Sequence, residues 1–255
     1  DLRRIEGVVL SARAGEFRTT VLGVQLLKDE PLHKKSPLNY MPFDSQIEYY
    51  GSCPGRAVSK SNVKNTPISK HIVDVCNVPN IYHGPVLNPE WYGWQMCLSN
   101  LANPARPYPH DLLSIAIRDY KEPLIEVFKN ALWSDARPLT DHENLCGIPG
   151  KKFMDAIKLN TSVGFPLTGP KSNFVNELEP TADKPNNREL DTIMMDEIKR
   201  IEDCYREGKR GYPIAKACKK DEILAKDKCR IFYGNALSLT WLIRKYYLPI
   251  LRVLQ

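Results

Sequence analysis

The sequence predicts a mixed α/β chain of the α+β kind, on three observations. Prolines and short apolar patches crowd residues 1–110, as in "KSPLNYMPFD", "NVPNIYHGPVLNP" and "NPARPYP". Apolar residues recur at helical spacing from residue 111 onward. A ribbon at 216–234 then alternates in the manner of a strand while carrying much of the positive charge.

In residues 1–110 no long helix persists through so many prolines, each of which removes a backbone donor. Extended segments and loops are expected, with short strands at Gly7–Leu10 and Thr20–Leu27. From Asp111 the pattern is helical. Asp111 is placed to cap "LLSIAIRDY", and Pro123 suits an early position of a second helix, "PLIEVFKNALW". Its Leu124, Val127, Phe128 and Leu132 recur at helical spacing and are expected in the core. After the turn-rich "CGIPGKK" a short helix is expected around Phe153–Ile157, and the polar residues 174–188 read as a surface loop. Glu189–Glu207 is the clearest helix. Leu190, Ile193, Met194, Ile198, Ile201 and Tyr205 form one stripe, and Gly208 and Gly211 can end it.

The stretch "KKDEILAKDKCRIFYG" (219–234) carries five cations and three acids. Between Arg206 and Arg230 nine Lys and Arg face four Asp and Glu, a balance of +5 against +6 for the whole chain. Such a local field favours polyanions, nucleic acid and nucleotides first. If Lys226–Arg230 is extended, Lys226, Lys228 and Arg230 project from one face. Three cations on one face repel unless an anion lies between them, and a triphosphate suits the spacing. Asp221 and Glu222 are placed to restrain Lys219 or Lys220 when no ligand is bound. The plain alternative is a solvated basic hairpin.

A chain of 255 residues is long enough for a substantial core, and its 42% hydrophobic and 26% charged content is that of a globular protein. Seven scattered cysteines give neither a disulfide framework nor a zinc spacing. No apolar run reaches transmembrane length, so a soluble intracellular protein is expected. The first residue is not Met, and "WLIRKYYLPILRVLQ" ends in dense apolar residues, so a piece of a longer protein is expected. Trp91, Tyr92 and Trp94 could stack on bases, although packing is the commoner use of such aromatics.

The ribbon and its continuation, "KKDEILAKDKCRIFYGNALSLTWLIRKYYLPI", resemble the fingers motif of RNA-dependent RNA polymerases from picorna-like positive-strand RNA viruses. Lys220, Asp221 and Glu222 match a Lys-Asp-Glu tripeptide, Lys228 and Arg230 a Lys-x-Arg pair, and Arg244 with Tyr247 an Arg-x-x-aromatic pattern. The short gap between tripeptide and arginine is similar to that of viruses of marine protists and invertebrates. A second stretch, "LCGIPGKKFMDAIKLNTSVGFPLTGPK", resembles the family segment running to Thr-Ser-x-Gly-aromatic-Pro, filled here by Thr161, Ser162, Gly164, Phe165 and Pro166. Two hydroxyls followed by a glycine allow close approach of a sugar–phosphate strand.

The resemblance implies the fingers and fingertip portion of a right-hand polymerase with palm and thumb absent. Residues 1–110 would be the fingertip region, 111–235 the fingers, and 236–255 a helix leading toward the palm. It implies that Lys220, Lys226, Lys228 and Arg230 bind the incoming nucleoside triphosphate, with Asp221 and Glu222 as structural partners of the ribbon. Thr161, Ser162 and Gly164 would bind template RNA. Partners would be template and nascent RNA, nucleotides, and the palm and thumb of the same enzyme, at replication complexes in the host cytoplasm. Mg²⁺ or Mn²⁺ would be held in the full enzyme by an Asp-x(4,5)-Asp strand and a Gly-Asp-Asp hairpin, neither of which occurs here. "DTIMMD" (Asp191–Asp196) fits the first spacing, but a five-residue step on a helix separates its carboxylates. The fragment alone is therefore expected to be inactive. A non-catalytic basic RNA-binding or scaffold module is the rival reading, and a capsid protein fits the helical half poorly.

Overall fold

The computed structural model describes residues 10–11, 20–21, 24–25, 34–40, 48–49, 61–85, 87, 93–95, 97, 108–130, 136–224 and 230–253. They fall in two compact units, one of residues 1–105 and 216–234, the other of 106–215 and 235–255. By contact, then, the basic ribbon groups with the N-terminal region.

In the first unit, β1 (Leu10–Ser11) pairs antiparallel with β4 (Glu48–Tyr49), and β2 (Thr20–Val21) with β3 (Val24–Gln25). Of the expected strands, residues 7–9, 22–23 and 26–27 lie outside the described residues. A helix that the proline-rich pattern did not suggest, α1 (Ser69–Cys76), ends on Asn77 in the left-handed region at φ 51°. Two strands, β7 (Ala215–Lys219) and β8 (Ile231–Asn235), form a two-stranded ribbon. The Lys220 N–H donates to the Arg230 carbonyl at 2.9 Å, and Gly234 stands beside the Lys216 carbonyl. The two segments thus step in opposite directions, as in a hairpin.

The second unit begins with α2 (His110–Lys129), a single helix that runs through Pro123. The sequence suggested two helices with Asp111 as cap. Instead Pro109 precedes the first turn, Asp111 lies within it, and the missing proline donor removes one bond without ending the helix. No residue of α2 is fully buried: of the residues expected in the core, Leu124 and Phe128 are half-buried and Val127 is exposed, while Leu132 lies outside the described residues.

The core is built by the elements after α2. Helix α3 (Asp141–Cys146) opens with a capping box in which the Thr140 hydroxyl accepts the Glu143 N–H and Glu143 accepts the Thr140 N–H. The Arg137 guanidinium meets both oxygens of Glu143 and, with the Thr140 bonds, outweighs burial to hold its carboxyl down to about 2. Gly147 closes the helix at φ 76°, where a Cβ would lie 2.4 Å from the Met154 carbonyl oxygen. The helix expected at Phe153–Ile157 is absent. The Ile157 N–H donates to Leu145 and the Met154 carbonyl accepts from Ile148, so these backbone groups are satisfied by α3 and its exit rather than locally.

Residues 174–188 are not a plain loop: β5 (Val175–Glu177) pairs antiparallel with β6 (Arg188–Leu190), in register from Val175↔Leu190 to Glu177↔Arg188. Helix α4 (Thr192–Arg206) starts where Asp191 accepts the Met194 N–H at 2.9 Å. Met194, Ile198 and Ile201 of its stripe are buried with Leu190. Ile193, about 100° round the helix from Met194, and Tyr205, in its last turn, are exposed. Gly208, at φ 70°, ends it. Helix α5 (Leu237–Val253) packs along α4, and its Leu237, Trp241 and Leu242 join Leu145, Ile157, Val163 and the α4 stripe in one cluster. At the rim of that joint Glu202 on α4 accepts from Tyr246 and pairs with Lys245 and Arg206. Burial works against the Glu202 charge, yet these partners hold its carboxyl below the ordinary range.

Candidate functional site

Two groups of candidate side chains lie in different units, and each has its own construction. In the ribbon, one carboxylate gathers two cations. Oε2 of Glu222 lies 3.0 Å from Lys220 Nζ and 3.2 Å from Arg230 Nη1. Glu222 is largely enclosed, at 19% side-chain exposure, whereas Lys220 and Arg230 are about half exposed at 49% and 56%. Its Oε1 is buried, with no hydrogen-bond partner among the described residues. The carboxylate neutralises one of two positive charges that would otherwise repel, and sets ammonium and guanidinium side by side. Lys has three donors and Arg five, so this one acceptor leaves donors of both for a further anion. Lys226 and Lys228 lie outside the described residues.

Asp221 does not restrain Lys219 or Lys220 as the sequence suggested. Both its oxygens turn to the N-terminal region, accepting the Ser61 hydroxyl at 2.5 Å and the Asn62 N–H at 2.7 Å. Lys219 Nζ sits 5.8 Å above the Trp94 ring, within the range of a cation–π contact, so Trp94 packs on the ribbon's own lysine. Trp91 and Tyr92 lie outside the described residues.

The Thr-Ser-x-Gly loop belongs to the second unit. Thr161 and Ser162 are exposed and Val163 is buried beneath them. The Val163 N–H donates to Gly169 and the Lys171 N–H to Thr161, folding 161–171 into a closed loop. The Val163 carbonyl accepts the Leu237 N–H at 2.8 Å, tying the loop to the first turn of α5. Gly164 is at φ 89°, and a Cβ there would lie 2.6 Å from the Asn235 carbonyl oxygen and 2.7 Å from Ala236 Cα. Its lack of a side chain therefore already has an internal reason, the close docking of this loop on the start of α5. The Thr161 hydroxyl donates to the Lys158 carbonyl, and the Ser162 hydroxyl accepts the Gly164 N–H at 3.3 Å, which leaves its own proton for another acceptor.

Lys171 is a member of this loop that the sequence did not single out. Its ammonium donates to the Thr161 hydroxyl and the Ser162 carbonyl, and burial pulls it below the ordinary lysine range. The only sequence signal was a lysine at the end of a Gly/Pro turn.

Arg244, matched to the family pattern, is spent internally. It donates to the Asn144 backbone and side-chain oxygens and to the Asp155 carbonyl, and burial lowers its pKa. Tyr247 is exposed. Asp191 is the cap of α4 and Asp196 an exposed residue on it. Among the described residues no group of three or more His, Cys, Asp or Glu is placed to hold a metal ion. Among the same residues no helix is long and apolar enough to cross a membrane.

No family model matches the chain. It is similar to the genome polyprotein of Deformed wing virus, 29% identical over 162 residues, which cover 57% of this chain and 5% of that polyprotein. It is similar to the RNA1 polyprotein of Tomato torrado virus, 20% identical over 250 residues, 92% of this chain and 11% of that one. Among solved structures it resembles the Sicinivirus 3Dpol RNA dependent RNA polymerase, with a TM-score of 0.50 and 17% identity over 78% of this chain and 39% of that one. At that identity the likeness is one of fold: the mixed helices and small sheets match part of a polymerase. The chain spans a small fraction of both polyproteins and about two-fifths of the polymerase. These likenesses agree with the resemblance carried by the two motifs, to the RNA-dependent RNA polymerases of picorna-like viruses.

Proposed function

We propose that this chain is the fingers and fingertip portion of a viral RNA-directed RNA polymerase, which copies RNA from an RNA template by nucleotidyl transfer. The observation that carries the reading is the pairing of Lys220 and Arg230 on one oxygen of Glu222, in a chain whose fold matches part of a polymerase. Such a group offers point charge and planar fork together, which suits a triphosphate.

In this reading Lys220 and Arg230 receive the triphosphate of the incoming nucleotide, and Lys226 and Lys228 complete the lining. Thr161, Ser162 and Gly164 guide the template strand, with Lys171 holding their loop in shape. The contribution is positioning and charge stabilisation during loss of pyrophosphate. A divalent metal, Mg²⁺ or Mn²⁺, belongs to the complete enzyme. It would polarise the reacting phosphate and the attacking hydroxyl. The described residues do not fit it, and the fragment alone is expected not to polymerise. Palm and thumb of the same protein, template and nascent RNA, and nucleotides are the proposed partners, in the host cytoplasm at replication complexes.

Arg230→Ala in the full-length polymerase is the test. The KM for nucleotide is expected to rise about tenfold or more and kcat to fall, consistent with loss of a charge-assisted contact to phosphate. Template-RNA affinity should stay within about twofold, since the contact assigned to Arg230 is to the nucleotide. Unchanged nucleotide kinetics would contradict the assignment. A uniform loss of RNA affinity instead would favour a plain RNA-binding ribbon.

A further inference from the structure

We infer that Asp221 is a positioning residue for the Lys220–Glu222–Arg230 group, acting by latching residues 61–63 onto the ribbon. This deepens the triphosphate reading above and rests on it. The segment 220–223 has no regular secondary structure, so the ribbon's own ladder does not fix the direction of Glu222. Its neighbours do. On one side of Glu222, Asp221 takes the Ser61 hydroxyl on one oxygen and the Asn62 N–H on the other, at 2.5 and 2.7 Å. Ser61 in turn accepts the Val63 N–H at 3.0 Å, closing a small turn about the carboxylate. On the other side, Leu224 and His83 exchange both backbone bonds, at 2.8 and 2.9 Å, and Leu224 is buried. A Cβ on Gly84 would touch Ser61 Oγ and Val63 Cβ, so the two anchoring pieces are themselves in contact.

Glu222 therefore sits between two anchors three residues apart, both supplied by chain some 140 to 160 positions earlier. Both bonds to Asp221 are charge-assisted and short, which makes them the strong kind. Releasing them restores backbone freedom to Asp221 and Glu222, and the shared oxygen that sets the two cations side by side moves with them. Asp221 touches neither cation, so it acts on the nucleotide only through this latch.

The sign of the effect separates positioning from charge. Asp221→Ala removes a negative charge next to an anion site, and electrostatics alone would lower the nucleotide KM. Loss of the latch would raise it. Ser61→Ala carries no charge change and cuts the same latch, which also guards against a misfolded Asp221 variant.

The experiment measures single-nucleotide incorporation by the full-length polymerase as wild type, D221A, S61A, the double variant and R230A, with amide exchange followed at Asn62. We expect D221A and S61A each to raise the nucleotide KM about three- to tenfold, in line with one or two lost bonds of this strength, with kcat within about twofold. The double variant should be no worse than the poorer single one, because both cut one device. The Asn62 amide should exchange faster in D221A. A lowered or unchanged KM in D221A and S61A, while R230A raises it, overturns the latch and leaves the triphosphate reading standing. Additive effects, or an Asn62 amide indifferent to D221A, overturn it as well. An unchanged KM in R230A overturns the triphosphate reading and this inference with it.

Discussion

Replacing Gly164 by alanine is expected to destabilise the second unit by about 3–4 kcal/mol, a severe loss for one methyl group. Two costs combine. At φ 89° an alanine sits where L-residues are disfavoured, which costs about 1–2 kcal/mol. The new Cβ would also lie 2.6 Å from the Asn235 carbonyl oxygen and 2.7 Å from Ala236 Cα, backbone atoms with little room to give. They cannot simply recede, because the Leu237 N–H is bonded to Val163 immediately beside them. Relief requires the Thr161–Ser162 loop to lift away from α5. Chemical denaturation of the isolated chain measures the loss, and a change below about 1 kcal/mol, the size of an ordinary surface substitution, would mean that the loop does not dock as described. The variant should also weaken template binding in the full enzyme if the loop guides RNA.

Asn144→Ala is expected to cost about 2–3 kcal/mol, through unsatisfied polar groups and a small cavity. Asn144 is completely buried. Its amide donates to the Trp241 carbonyl at 3.0 Å, and its side-chain and backbone oxygens both accept from Arg244. Truncation strips one acceptor from a guanidinium whose charge burial already disfavours, and leaves a void against Trp241, one of the largest fully buried side chains. Arg244→Met should show a smaller loss on an Asn144→Ala background than on wild type, because the two share one contact. A thermal shift of less than about 2 °C for Asn144→Ala, where a loss of this size predicts several degrees, would remove this network from the account.

Both predictions concern groups whose role is invisible in local sequence. Helix α4 was legible because an apolar stripe and a capping aspartate at 191 are encoded within one short window. The pairing of Lys220 and Arg230 with Glu222 was legible in part, since charges so close in sequence must be compensated. Asp221 was not: its partners, Ser61 and Asn62, lie about 160 residues earlier. The Phe153–Ile157 segment misled because its local pattern favours a helix, while its backbone partners are Leu145 and Ile148. Pro123 misled in the opposite direction, since a helix can continue past one missing donor. Gly164 and Arg244 match a functional motif in the sequence. The structure gives each an internal task, docking the loop on α5 and joining α3 to α5, that the motif alone does not disclose.

The most direct measurement is a structure of the full-length polymerase bound to template RNA and a non-hydrolysable nucleoside triphosphate. Phosphate oxygens are expected within about 3 Å of the Arg230 guanidinium and the Lys220 ammonium, the ordinary length of such contacts. A triphosphate seated elsewhere, with Lys220 and Arg230 still engaged by Glu222 alone, would contradict the triphosphate reading.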